Sequence, residues 1–170
     1  MALGIALPIA AATTLASTPD LGKAEARCRP GEGGPAFTVD VQGLKDRTGN
    51  LKLEVYPADD PDFLADDNVL VSQGKTFRRI EMPVPPGGPV RLCVRLPGPG
   101  TYAVSLLHDR DRDRKFNWKV DGIGFAGNPR LGWSKPRAAR ASAVAGASPT
   151  MLEIVLNYRK GLGVAPLASK

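Results

Sequence analysis

The stretch Val90-Arg91-Leu92-Cys93-Val94-Arg95-Leu96, followed by Pro97-Gly98-Pro99-Gly100 and then Thr101-Tyr102-Ala103-Val104-Ser105-Leu106, decides the fold class of this chain. Strict alternation puts Val90, Leu92, Val94 and Leu96 on one side and Arg91, Cys93 and Arg95 on the other, the period of a half-buried β-strand. The Pro-Gly pairs force a turn, after which Tyr102, Val104 and Leu106 resume the alternation. Upstream, Phe37, Val39 and Val41 alternate with Thr38, Asp40 and Gln42. Across the polar turn Lys45 to Asn50, Leu51, Leu53 and Val55 then alternate with Lys52, Glu54 and Tyr56, which together read as a hairpin. Thr76 to Val84 is strand-like too, but the adjacent Arg78 and Arg79 interrupt the alternation between Phe77 and Ile80 and predict a bulge. The last strand should turn Leu152, Ile154, Leu156 and Tyr158 inward and Glu153 and Asn157 outward.

No helical pattern of useful length intervenes. The acidic segment around Phe63 and Leu64 (Asp59, Asp60, Asp62, Asp66, Asp67) has room for one helical turn starting near Pro61. Short strands at close spacing imply an all-β, antiparallel β-sandwich of about 6–8 strands. With 170 residues, 42% hydrophobic and 6% aromatic, the chain can build one modest core, which excludes two ordinary domains. Its 19 Gly and 16 Pro are dispersed among β-branched runs, which excludes collagen-like and disordered classes. The expected organisation is a leader over 1–19, a polar arm over 20–35, the sandwich over 36–160 and a tail over 161–170.

Met1 to Pro19 carries no charge and has an apolar stretch from Leu3 to Ala12, with small residues at Thr14 and Ala16, as an export signal would. Ala and Thr dominate it and Pro8 interrupts it, so cleavage is expected rather than a retained span. Glu25 and Arg27 exclude Cys28 as a lipidation site. The only cysteines, Cys28 and Cys93, should then form one disulfide, worth roughly 4 kcal/mol in the chain-entropy model. Cys93 faces away from the core, so the bond should tie the N-terminal arm across the outside of its strand. These features place the protein in the periplasm or outside a bacterial cell. The net charge of +6 is uneven: residues 1–100 hold 11 Lys or Arg against 12 Asp or Glu, and residues 101–170 hold 12 against 5.

The irregular stretch His108 to Ala141 is where a ligand should be sought. It opens on His108-Asp109-Arg110-Asp111-Arg112-Asp113-Arg114-Lys115-Phe116. Carboxylates two apart can converge on calcium, and Asp109, Asp111 and Asp113 are the candidate ligands. The interleaved arginines offer the competing reading of a self-neutralised, salt-linked loop. His108 is the only histidine, so near-neutral acid/base chemistry would have to use it, with Ser105 or Ser134 and Asp109 as conceivable partners. No G-x-S-x-G elbow is present, and one histidine with two bonded cysteines makes no zinc site. A histidine hydrogen-bonded at a strand end is the structural alternative. Gly122-Ile123-Gly124-Phe125-Ala126-Gly127 spells G-x-G-x-x-G, but Asn128-Pro129 follows instead of a helix, so it reads as a flexible turn and not a dinucleotide site. Trp118, Lys115, Trp133 and Arg137 add aromatic and basic groups able to stack on a sugar or meet an anion, or simply to close the core.

Pro99-Gly100-Thr101-Tyr102-Ala103 running into His108-Asp109 and the alternating acids, with Gly122-Ile123-Gly124 and Gly132-Trp133-Ser134 beyond, resembles the bacterial exported proteins of domain of unknown function 2141. The resemblance covers Phe37 to Tyr158. It implies a prealbumin-like sandwich and an envelope location, and supplies no established activity. It carries the family's histidine-acid loop onto His108, Asp109, Asp111, Asp113, Lys115 and Phe116, while Arg112 and Arg114 stand where relatives often have Asn-Gly, which weakens the metal reading. The expected function is a non-catalytic binding or structural module of the envelope, facing an anionic polymer, a saccharide or an envelope protein. No nucleic acid is expected, and no membrane span remains after signal cleavage. The alternative is a calcium-stabilised domain with a hydrolytic activity at His108 and Asp109; apart from calcium, no cofactor is implied.

Overall fold

The computed structural model describes residues 14–167. Its strands form two sheets. The smaller is built from β4 (Val90–Arg95), β1 (Ala36–Gln42) and β8 (Thr150–Val155) in that order, and the larger runs β10 (Gly163–Pro166), β9 (Asn157–Lys160), β6 (Gly122–Phe125), β5 (Gly100–Asp109), β2 (Asn50–Pro57), β3 (Arg78–Pro83), with β7 (Ser142–Ala145) also paired to β5. Most pairings are antiparallel, as in an all-β sandwich, but β1 and β8 run parallel, Phe37 opposite Thr150. Among the described residues the strand number is ten, above expectation, because three short strands escape the alternation rule, β6, β7 and β10, and the last expected strand divides into β8 and β9.

The core lies between the sheets. Phe37, Val39, Leu92 and Ile154 from the small sheet meet Leu51, Leu53, Val55, Val104, Leu106 and Tyr158 from the large one. Each is one phase of an alternating strand, so burying these side chains, at roughly 1.5–3 kcal/mol apiece, also fixes the register.

The large sheet is apolar on its other face as well. Tyr56, Ala103 and Phe125 turn outward and are covered by Phe63, Leu70, Phe77, Ala138 and Ala141. That cover is a short helix α2 (Asp67–Ser72), the turn before it, and the segment following β6. The acidic stretch does hold a helical turn at Pro61, where the Phe63 amide donates to the Asp59 carbonyl, but α2 was not legible from periodicity. A helix of one and a half turns is too brief to show a stripe.

Four further expectations change. The β2–β3 ladder is regular from Val55–Arg78 to Asn50–Pro83, with no bulge. Ile80 and Met82 face the core while Phe77 and Arg79 face the outer layer, so the two arginines break no alternation. Gly122 to Phe125 is strand β6 and not a flexible turn, antiparallel to β5. The final strand is two: the chain leaves the small sheet at Val155 and enters the large one at Asn157, which is buried instead of outward. Residues 163–166, expected as part of a tail, form the edge strand β10.

The Cys28–Cys93 disulfide forms, with Cα atoms 6.0 Å apart. It ties the arm across β4, where Arg27 bridges Val94. The arm is more than polar linker: a single turn α1 (Lys23–Ala26) delivers Ala26 into the core. Of the expected leader, Met1 to Thr13 lie outside the described residues. Thr18 belongs to the folded layer, because its carbonyl accepts from Arg79 at 3.1 Å. No helix among the described residues is long and apolar enough to cross a membrane.

Candidate functional site

The residues singled out between 108 and 141 separate into three places. His108 is one of them and faces no cavity. It sits in β5, fully buried, with Nε2 2.7 Å from the Thr48 carbonyl and Nδ1 2.7 Å from the Tyr158 hydroxyl. A carbonyl only accepts, so Nε2 carries the proton and Nδ1 accepts from Tyr158, whose oxygen in turn accepts the Lys45 amide at 3.1 Å. Burial pushes the imidazole pKa down and raises the Tyr158 phenol to about 12. Both groups stay neutral, and His108 works as a buried clamp between the β1–β2 turn and β9. Neither Ser105 nor Ser134 is its partner.

The second place is the acidic loop. Asp109, Asp111 and Asp113 converge as expected, and a fourth carboxylate, Asp121, joins them at the start of β6. Sequence reasoning passed over Asp121 because it lies just beyond the twelfth position of the helix-loop-helix calcium pattern. Asp121 closes the loop, accepting the Arg110 amide at 2.9 Å and the Asn117 amide at 2.8 Å. Asp109 accepts the Arg114 amide at 2.9 Å, and burial raises its pKa. The loop is not self-neutralised. Arg110 grips Asp46 and the Val120 carbonyl, and Arg114 points to Glu81. Arg110 and Thr48, against the effect of burial, hold the Asp46 carboxyl far below the usual range.

The third place is a cavity of about 550 Å³ against the outer face of the large sheet. Leu107, Ile123 and Phe125, from β5 and β6, form its apolar floor, and Phe116, Trp118, Leu131 and Trp133 line it as well. Trp133 is 87% exposed at the rim, and Trp118 is steadied by the Arg159 guanidinium 4.9 Å from its ring. Lys52, Glu54 and Ser105 supply the polar part of the lining. Lys52 and Glu54 belong to a buried network: Arg79 Nε donates to Glu54 at 2.8 Å, its Nη2 to Asp67 at 3.0 Å, Tyr56 donates to Glu54 at 2.8 Å, and Lys52 stands 3.6 Å from Glu54 and reaches the Arg114 carbonyl at 2.9 Å. Arg79, Glu54 and Asp67 are each at least nine-tenths buried.

Lys115 and Arg137 bring no side chain to these places. Lys115 is exposed and its amide caps Asp113, while Arg137 pairs with Asp60 at 3.3 Å on the surface. The cavity's floor was missed because β2, β5 and β6 are apolar on one face toward the core and mixed on the other. The signal was there in Leu107, Ile123 and Phe125, apolar residues in the outward phase of their strands.

Fold and site together define a disulfide-tied two-sheet β-sandwich whose large sheet carries a cavity beneath its longest loops. The chain belongs to the family of domain of unknown function 2141, described as an uncharacterized protein conserved in bacteria, whose model matches residues 39–152. That span runs from β1 to β8 and takes in the acidic loop and β6. No curated protein and no solved structure matches the chain.

Proposed function

We propose that this protein is an exported, non-catalytic binding module of the bacterial envelope, and that its ligand is a compact amphiphile held in the cavity over Leu107, Ile123 and Phe125. The cavity carries the reading. Its size and make-up, apolar and aromatic walls with a few placed polar groups, are those of small-molecule sites. The apolar body would lie on the floor between Trp118 and Trp133, with its polar end at Lys52, Glu54 and Ser105. Among the ligand classes expected from sequence, a saccharide would exploit the tryptophans but leave its hydroxyls facing Leu107 and Ile123, which disfavours it. Export is supported by the Cys28–Cys93 disulfide and by the uncharged leader. The non-catalytic reading is supported by His108, whose ring nitrogens are both engaged away from the cavity.

The chain's two tryptophans both line the cavity, so intrinsic fluorescence reads the site without a label. Titration with acyl amphiphiles below their micelle concentration should shift the emission to the blue and saturate, and Trp133→Ala should weaken the binding read through Trp118. A response to oligosaccharides alone would replace the proposed ligand class. No response to either would remove the cavity from consideration.

A further inference from the structure

Beyond the cavity, the four aspartates of the loop between β5 and β6 ask for a partner the fold does not give them. Each of Asp109, Asp111, Asp113 and Asp121 offers an oxygen, and these oxygens lie within 4.8 Å of one another. Like charges gathered so closely repel. Two of the loop's three arginines are turned elsewhere, Arg110 onto Asp46 and Arg114 onto Glu81, Arg112 is exposed, and among the described residues none of the four aspartates has an ion-pair partner. A second observation is independent of the clustering. Asp109 is 1% exposed, and while its Oδ2 takes the Arg114 amide, its Oδ1 is buried with no hydrogen-bond partner at all. A buried polar atom left in that state carries its full desolvation penalty, and an ion is one of the few things that relieves it.

We infer that Asp109, Asp111, Asp113 and Asp121 form a binding site for one hard divalent cation, calcium above all. Calcium takes oxygen ligands at about 2.3–2.6 Å, so the ligands of one ion stand at most about 5 Å apart, and this cluster meets that bound. Magnesium, with shorter bonds and a stricter octahedral demand, fits a loop of four carboxylates less well. Asp109 and Asp121 supply a fixed base, each held by backbone amides at opposite ends of the loop. Asp111 and Asp113 are exposed and leave the ion a way in. The arginines at 112 and 114, which argued against a metal in sequence, take left-handed backbone (φ 62° and 68°) at the turn.

The test is calorimetric titration of the chelator-treated full chain with calcium and with magnesium at fixed ionic strength, alongside thermal unfolding. The expected result is one calcium per chain, weaker binding of magnesium, and a rise in Tm of roughly 5–10 °C at a hundredfold excess over Kd. Asp111→Asn with Asp113→Asn, both exposed, should abolish the heat and the rise while leaving the Tm in chelator no lower than that of wild type, since two of the repelling charges are gone. Should that pair not fold, Asp113→Asn alone is compared with wild type by terbium luminescence excited through Trp118, where a weakened midpoint is expected. Absence of heat and of any Tm change up to millimolar calcium overturns the inference. So does a rise, or a terbium midpoint, that ignores these substitutions. None of these readings depends on the cavity holding a ligand.

Discussion

Replacing Gly122 with alanine tests the packing argument at its tightest point. A Cβ at this position of β6 would stand 2.6 Å from Cζ of Tyr158, where carbon atoms in contact prefer about 3.5–4.0 Å. The ring must therefore retreat by about 1 Å, and at 1% exposure it has no free space to enter. Overpacking of this kind costs about 1–3 kcal/mol. The same retreat stretches the 2.7 Å bond from the Tyr158 hydroxyl to His108 Nδ1 beyond hydrogen-bonding range, leaving two buried groups unpaired at about 1–3 kcal/mol. Gly→Ala recovers a little through the unfolded chain, about 0.4–1 kcal/mol. The net loss of about 2–5 kcal/mol should lower Tm by roughly 5–15 °C for a chain of this size. Gly132→Ala, where nothing lies within 4 Å, is the control and should stay within about 0.5 kcal/mol. In a cycle with Tyr158→Phe, which removes the hydroxyl alone, the two losses should fall short of additive by about 1–3 kcal/mol, since both break the same bond. Urea and thermal unfolding read the four variants against wild type. A Gly122→Ala protein as stable as wild type would refute the close approach of β6 to β9 and the clamp with it.

Three other outcomes follow from the buried charges and the disulfide. Arg79→Met should cost about 3–5 kcal/mol in urea unfolding, because it strands Glu54 and Asp67 inside the outer layer, whereas Arg91→Met at the exposed Asp40 pair should cost at most about 1 kcal/mol. Cys28→Ser with Cys93→Ser should lower stability by about 4 kcal/mol, the chain-entropy value for a separation of 65 residues, and reductant should then have no further effect. Asp46 and Asp67 both titrate lower in the folded protein than the unfolded value near 3.9, so their stabilisation is present above that pH and is lost as pH falls through the folded values. A stability profile from pH 7 to pH 2 should show this acid limb, and Asp46→Asn should be less stable at neutral pH with a shallower limb.

Much of the fold was legible because alternation has one meaning when a strand buries one face. Leu51, Leu53 and Val55, or Val90, Leu92 and Val94, could only face one core, and they do. The same rule misled where burial is two-sided. Arg79 and Phe77 were judged against a single apolar face, so a regular strand looked bulged; its arginine is inside because Glu54 and Asp67 meet it there. At Gly122 and Gly124 the pattern fails for a different reason. A glycine has no side chain to declare a phase, and these two are where Tyr158 and Ile154 press against the β6 backbone. The aspartate triplet was visible as spacing, but the orientation of Arg110 and Arg114 was not, since it depends on Asp46 and Glu81, far away in the chain. Of the cavity, Trp118 and Trp133 could be nominated as aromatic outliers; its floor required knowing which strands lie side by side.

The parallel pairing of β1 with β8 governs the order in which the protein can be assembled. The central strand of the small sheet waits for a neighbour far downstream: Phe37 finds Thr150, and Val41 finds Ile154, only after β2 to β7 exist. A hairpin can close early because its halves are adjacent, but this ladder must first close a loop spanning most of the domain, which slows folding. Until then one edge of β1 has no partner, and the face of the large sheet that β8 helps cover stays wet. A half-made chain therefore remains unlocked and threadable, and it is exposed to edge-to-edge association for as long as β8 is withheld.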